Sequence, residues 1–400
     1  MTADLGGMFF LHGAPAAEAK REHLKIVDDA KSSLRLPLVS IIIVNFNYGR
    51  FLEAAVGSVF RQTYPNLECI VVENGSTDDS ACVLRSIEAC HPSIKTIYWT
   101  ENDGQTKAIL AGLAACSGPY VIFLDADDML LPECVETHIF VHLSLRIHAG
   151  FTSGDMLQLS GDQIVLGTEN GFNRRMQTRR GIKPRLIRPY RHPAEELWPR
   201  PEFDQKVLQT IRFVGATSWW LWAPTSANCF RRDALDLFTG NPDLQQLKIG
   251  SDLYFCLGVN AISGSVLIDK PLAAYRLHAA NQYSRRPQLN NVLAGDPADK
   301  AGHDRQARAA LAKHLVTSAS RFAGQGWTWI EFLWLLWVMD CPDNRPDLPR
   351  WARRSAGAAA IVSNFALLRG LLGAWPVKAW LALRRVPPKV IFGLKRNPPE

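Results

Sequence analysis

A chain of 400 residues, 47% apolar and 21% charged, has the composition of a globular protein and is too long for one ordinary core, which predicts one large domain with an appended region. The net charge of +7 is unevenly placed: residues 351–400 hold nine Lys or Arg against one acid, Glu400, so this segment is +8 and the remainder −1. A basic balance confined to one tail argues against nucleic acid and for a local anionic partner. The eight cysteines form no CxxC pair, and most lie in apolar stretches. That favours buried free thiols in a reducing compartment over disulfides or a zinc site. Met8 to Leu11 is too short for a secretory apolar core, so a cytoplasmic location is expected.

Residues 1–36 read as a polar extension, with a short helix possible from Glu18 to Leu34. Leu38 to Val44 is rich in β-branched residues and predicts a buried parallel strand. The turn Asn45 to Gly49 leads into a helix over Arg50 to Gln62, spaced through Leu52, Val56, Val59 and Phe60. A second strand, Leu67 to Val72, ends in the turn Glu73 to Asp78. A helix follows from Asp79 to Ala89, then a third strand, Ile94 to Trp99. Asn102, Asp103 and Gly104 make a turn before a helix from Gln105 to Cys116, and Val121 to Leu124 is the fourth strand. This alternation predicts a parallel sheet with helices on both faces and the strand ends on one edge.

After Pro132 the rhythm changes. A helix is expected over Glu133 to His148, and a strand pair over Ser153 to Gly167. Residues 173–202 are rich in Arg and Pro and read as a surface loop or lid. Its cations are Arg174, Arg175, Arg179, Arg180, Lys183, Arg185, Arg188 and Arg191; such a set is solvated by default and can also clamp phosphates. Phe203 to Phe213 is expected to be helical, Ser226 to Phe230 a strand, Arg232 to Phe238 and Ser251 to Ala261 helices, and Val266 to Asp269 and Leu272 to Leu277 strands.

The fourth strand runs straight into Asp125, Ala126, Asp127 and Asp128. These acids stand at the carboxyl end of a buried strand, where open α/β sheets bind ligands. Asp125 and Asp127 are two apart and point the same way on an extended backbone. Two carboxylates so close repel unless a cation lies between them, and hard divalent ions prefer oxygen ligands. A capped strand followed by a turn is the plainer alternative.

Four segments together resemble the family 2 glycosyltransferases of the GT-A fold. They are Val39 to Asn47, Val71 to Ser80, Asn102 to Gln105 with Ala108 and Gly112, and Phe123 to Pro132. The match is close over residues 38–132 and looser to 285. The resemblance implies an α/β, Rossmann-like, mostly parallel sheet of the nucleotide-diphospho-sugar transferase type, with a helical C-terminal extension. The implied division is 1–36 as extension, 37–285 as catalytic domain (37–132 for the nucleotide sugar, 133–285 for the acceptor) and 286–400 as a basic helical region. It also implies donor contacts at Asn45, Glu73, Asn74, Ser76, Gly104, Gln105 and Asp125, with Glu73 standing where the family usually has Asp. Asp125-Ala126-Asp127 matches the family's DxD element. Asp127, Asp125 and His278 are the implied ligands of Mg²⁺ or Mn²⁺, with His278 and Arg276 belonging to the Tyr275 to His278 segment. Gly250-Ser251-Asp252 stands where the family carries an acidic pair, so Asp252 is the implied general base and Ser251 replaces the usual Glu. A helix cap is the alternative role for Asp252, and for Asp128. Trp219, Trp220 and Trp222 are candidates for an acceptor platform or for the core.

Trp327 to Met339 is densely apolar but too short to span a bilayer, and Arg369, Pro376 and Lys378 interrupt Ile361 to Leu383. Apolar residues mixed with Lys and Arg over 327–396 read as interfacial helices on the inner face of a membrane, or as a bundle packed on the catalytic domain. The expected activity is inverting transfer from a nucleotide-diphosphate sugar, UDP-linked in the first instance, to a hydroxyl of a glycan or lipid-linked acceptor in surface polysaccharide or glycolipid synthesis. A sugar-1-phosphate nucleotidyltransferase would need a Gly-rich basic loop where Asn45-Phe46-Asn47-Tyr48 stands. A catalytically inactive sugar-binding or scaffold protein of the same fold is the non-enzymatic alternative.

Overall fold

A computed structural model describes residues 35–167, 181–191, 198–199, 206–279, 281, 297–323, 328–343 and 345–394. The helix expected over Glu18 to Leu34, and Arg174, Arg175, Arg179 and Arg180, lie outside the described residues. The chain divides into two compact units, Met1–Leu36 with Tyr190–Phe203, and Pro37–Pro189 with Asp204–Glu400. In the first, the rings of Tyr190 and Trp198 lie 5.6 Å apart. The second unit carries the sheet.

Its first part alternates as the pattern requires. The order is β1 (Val39–Asn45), α1 (Gly49–Phe60), β2 (Leu67–Asn74), α2 (Ser80–Cys90), β3 (Lys95–Trp99), α3 (Gln105–Ala115) and β4 (Tyr120–Asp125). β1 is buried almost throughout because neighbours flank it on both edges and helices cover both faces. α1 buries Leu52, Ala55, Val56 and Val59, the stripe its spacing encodes. Strands β3, β2, β1 and β4 pair in parallel, in that order.

The sheet then continues with mixed polarity through β5 (Met129–Leu130), β6 (Phe151–Ser160), β7 (Gln163–Leu166), β8 (Arg212–Val214), β9 (Asn228–Arg231) and β10 (Ser265–Leu277). The main path is β3-β2-β1-β4-β9-β6-β10-β5, with β7 on β6 and β8 on β10. β6 and β10 are parallel to each other, and β9 is antiparallel to both β4 and β6. The intervening helices are α4 (Cys134–Ser144), α5 (Val207–Thr210), α6 (Arg232–Thr239) and α7 (Ser251–Ser263).

Four elements differ from expectation, each through tertiary pairing. The helix expected to reach His148 stops at Ser144, because Leu145 turns extended and bridges Ile187. The helix expected to end at Phe213 is only the four residues of α5; Arg212–Val214 instead pair antiparallel with the start of β10. The strand expected from Ser226 begins at Asn228, after a 3₁₀ turn at Thr225–Ala227. The two strands expected over 266–277 are one, with irregular register from Leu267 to Ala273 where Pro271 lacks a donor.

The chain closes with α8 (Pro297–Thr317), α9 (Ala319–Ala323), α10 (Trp329–Met339), α11 (Arg350–Arg353), α12 (Ala356–Ser363), α13 (Phe365–Leu372), α14 (Ala374–Leu383) and α15 (Pro388–Gly393). α8 packs on the sheet unit. His314 Nε2 lies 2.9 Å from Leu237 O, Asn241 Nδ2 donates to Ala310 O, and Phe322 stacks on Phe238.

Candidate active site

The carboxyl ends of β1, β2 and β4, the start of α3, residues 245–252 and the end of β10 surround a cavity of ≈ 710 Å³. Parallel strands deliver their ends to one edge, and the turn residues after them become its wall. Among the sequence-predicted residues, Asn74, Gly104, Gln105, Asp125, Asp127 and Asp252 line it.

Asn45, Glu73 and Ser76 are not among the lining residues. Asn45 and Glu73 are buried and Ser76 half-buried, and the three form one hydrogen-bonded layer instead. Asn45 Nδ2 donates to Glu73 Oε2 (2.5 Å) and Ser76 Oγ (3.2 Å), and the Ser76 amide donates to Glu73 Oε1 (2.7 Å). Glu73 is only 2% exposed, so both carboxylate oxygens are engaged inside the protein. The turn needs Gly75: its φ is +68°, and an added Cβ would come within 2.4 Å of the Glu101 carbonyl carbon. Asn74 Nδ2 donates to Asn102 Oδ1 and its Oδ1 accepts from the Asp103 amide, which ties β2 to the start of α3.

The acids at the end of β4 divide into three environments. Asp125 accepts from Gln105 Nε2 (3.2 Å); burial first, then the charges of Asp127 and Asp252, pushes its carboxyl up to about 8. Asp128 is not a helix cap. It accepts from Ser226 Oγ (2.7 Å) and from the Arg276 amide (3.3 Å), bracing β4 against β10. Burial and the neighbouring Asp127 and Asp125 charges push it well above the usual carboxylate range. Asp127 reaches the cavity wall, with His278 Nε2 at 3.0 Å and Asn281 Nδ2 at 3.4 Å from its Oδ2.

His278 stands behind Asp127, outside the lining set. Its ring packs edge-on to Tyr48 (5.4 Å) and tilted against Phe51 (4.8 Å). Asn281 fixes this corner: its Oδ1 accepts from the His278 amide and its Nδ2 donates to Arg276 O. Arg276 Nε donates to Asp127 O. Asn281 and Tyr48 both line the cavity and were passed over in the sequence. Nothing local marks an Asn that acts on a residue 154 positions away. Gln158 and Lys248 also line it without a sequence signal, and Tyr275 lines it as the first residue of the Tyr275 to His278 segment that carries the resemblance.

Asp252 sits in the first turn of α7, after Gly250 with φ +91°. Its Oδ1 accepts from the Leu253 amide (2.7 Å), and its charge is felt at Asp125 across the cavity. The Trp group is divided: Trp219 is exposed, while Trp222 is buried against Phe151 and donates to Ser265 Oγ. None of the three lines the cavity. The described part of the basic loop is tied to the end of α4 by Arg146 N–Leu186 O and Arg188 N–Ser144 O, each 2.8 Å.

Among the described residues, no three His, Cys, Asp or Glu side chains converge closely enough to hold a metal ion by themselves. The candidate donors are the carboxylates of Asp125 and Asp127, with the Asn281 amide beside them at the cavity wall and the His278 imidazole behind. This chemistry fits a hard divalent ion held by one or two carboxylates plus oxygens of a bound phosphate.

An open α/β sheet with strand-end acids around one cavity defines the class: a nucleotide-diphospho-sugar transferase fold of the GT-A type. The model for glycosyl transferase family 2 matches residues 40–143. An uncharacterised glycosyltransferase of Nostoc sp. is 31% identical over 248 residues, covering 61% of this chain and 66% of that one. Chondroitin synthase of Escherichia coli is 30% identical over 154 residues, covering 38% and 22%. The chain spans two thirds or less of the length of these relatives. TarS 1–349 of S. aureus, solved in complex with UDP, is 16% identical with a TM-score of 0.41, covering 90% of this chain and 93% of that one. Residues 40–143 therefore carry the glycosyl transferase family 2 segment, and the relatives that share it are glycosyltransferases.

Proposed function

We propose that the chain is an inverting glycosyltransferase. It moves a sugar from a nucleotide-diphosphate donor, UDP-linked in the first instance, to a hydroxyl of a glycan or lipid-linked acceptor in surface polysaccharide or glycolipid synthesis. The observation that carries this reading is the meeting of Asp125, Asp127 and Asp252 at one cavity on the strand-end edge of the sheet. The family relationship supports transfer chemistry, and the relative that makes chondroitin supports a polysaccharide product.

Asn74, Gly104 and Gln105 supply polar contacts to the donor along β2 and α3. Asn45, Glu73 and Ser76 act one layer deeper, by fixing the turn from which Asn74 projects. Asp125 and Asp127 would hold a divalent cation, Mg²⁺ or Mn²⁺, with His278 and Asn281 orienting Asp127. When bound, that ion neutralises negative charge on the leaving diphosphate. Asp252 takes the proton of the acceptor hydroxyl as its oxygen attacks the anomeric carbon. The bond to the diphosphate breaks on the opposite side, so the configuration inverts.

The test uses the full chain with nucleotide sugars and Mn²⁺. A true donor raises the melting temperature by mass action. Asp252→Asn is expected to keep that shift and lose about a thousandfold in turnover; Asp127→Asn is expected to lose both. Full turnover in Asp252→Asn would remove the assigned base. A donor-induced shift without turnover in the wild type would leave a sugar-binding protein.

A further inference from the structure

The C-terminal helices expose apolar residues where a soluble surface carries polar ones. α10 buries Phe332, Leu333, Leu335, Leu336 and Met339. Its outer stripe, Ile330, Trp334 and Trp337, is apolar as well and exposed. These three positions are spaced i, i+4, i+7 and therefore share one helix face. Trp380 Nε1 donates to Leu333 O and Arg384 Nη2 to Trp337 O, so α14 runs beside α10. α13 to α15 add Leu371, Leu383, Trp375 and Phe392, the last two 80% exposed. A lone exposed apolar residue needs no explanation, but so many on adjacent short helices do.

The charge around them has one sign. Residues 351–394 contain seven Lys or Arg and no acid. Arg384 is engaged, lying over the Trp337 ring and 3.0 Å from Asp340. Four of the other six interleave along the sequence with the exposed apolar residues, Lys378 also lying over the Phe365 ring. Arg369 lies between Leu367 and Leu371, Lys378 one turn after Trp375, Arg385 just after Leu383, and Lys389 one turn before Phe392.

We propose that α10 and α13–α15 form a docking surface for an anionic phospholipid bilayer, which they enter to headgroup depth. Tryptophan suits that depth because its ring is apolar and its N–H polar, and Lys and Arg beside it reach the lipid phosphates. The contact is interfacial: among the described residues no helix is long and apolar enough to cross a membrane. A second copy of the chain would bring the same basic surface against itself, so charge disfavours that occupant. This surface is distinct from the cavity, and the inference does not rest on the transferase reading.

The full chain is mixed with vesicles of phosphatidylcholine alone, or of phosphatidylcholine with phosphatidylglycerol, and sedimented; tryptophan emission is read in parallel. Binding is expected only with phosphatidylglycerol, with a blue shift in emission and weakening as salt rises. The double variant Trp375→Ala, Phe392→Ala and the double variant Arg385→Glu, Lys389→Glu should each lower vesicle binding by about tenfold or more. Both should keep the wild-type melting temperature, since the altered side chains are exposed. Equal binding to both vesicle types, or none, overturns the proposal. So does a dimer that forms without lipid and is lost in the Trp375→Ala, Phe392→Ala variant.

Discussion

At the carboxyl edge of β1, β2 and β4 the chain buries polar side chains; in α10 and α13–α15 it exposes apolar ones. Both reverse the ordinary sorting of residues, in opposite directions. The buried polar groups are held by specific partners, as where Glu73 accepts from Asn45 and the Ser76 amide. The exposed rings of Trp375 and Phe392 lie open to solvent. The first region is organised for a ligand that enters a fixed cavity. The second presents a surface that a neighbouring phase would cover. Each is found by the mismatch between polarity and burial, and neither by either property alone.

Breaking the buried side of this contrast should cost most. Replacing Asn45 with Leu removes a hydrogen bond to a buried carboxylate and leaves Glu73 with the Ser76 amide alone. The expected loss is about 3 kcal/mol of stability, because an underpartnered buried charge is expensive. Denaturant unfolding measures it. A loss near zero would mean that water reaches Glu73 and that the layer is not the rigid base of the cavity wall.

How much of this was legible in the sequence follows from how local each signal is. The β-branched runs and the i, i+3, i+4 helix faces up to Pro132 report their own burial, so the parallel half of the sheet could be read directly. Asp125 and Asp127 were legible because both stand in one strand-end segment. Asp252 came only through family resemblance, since its place at the same cavity depends on a fold closing over 125 residues. The inward turn of Glu73 was not legible. A carboxylate at a strand end looks the same whether it faces a ligand or a buried amide. The short strands β5 and β8 and the stop of α4 at Ser144 escaped for a similar reason, being fixed by partners distant in the chain.

A second perturbation tests whether buried polar groups away from the cavity behave as scaffold. On α4, His138 is buried and His142 half-buried, and desolvation pushes their rings down to about 3 and about 4. His138 Nδ1 meets Thr152 Oγ1 at 2.7 Å, and His142 Nε2 meets Cys229 O at 3.2 Å. Unfolding lets both rings return to an ordinary value near 6.5 and take up protons. Stability is therefore complete above about pH 6.5 and falls as pH drops toward 4, by roughly 1.4 kcal/mol per pH unit for each ring. Melting curves at pH 7 and pH 5 should show this fall, and His142→Gln should flatten it. An unchanged slope in that variant would place the acid sensitivity elsewhere.

The smallest expected effect lies on the exposed side. Trp375 stands in the first turn of α14. Replacing it with Ala removes the largest side chain type there is, and in a core that change costs several kcal/mol. Here little surface is withdrawn from water when the chain folds, so the change in stability should stay within about 0.5 kcal/mol. The same substitution should lower the protein's tendency to adsorb to lipid and other apolar surfaces, because it removes exposed apolar area. A large loss of stability would show that Trp375 is covered in the folded protein in solution, and the contrast between the two regions would then fail at its most exposed residue. A negligible loss leaves an 80%-exposed tryptophan that contributes nothing to folding. Its reason for being there must then be sought in what the surface meets.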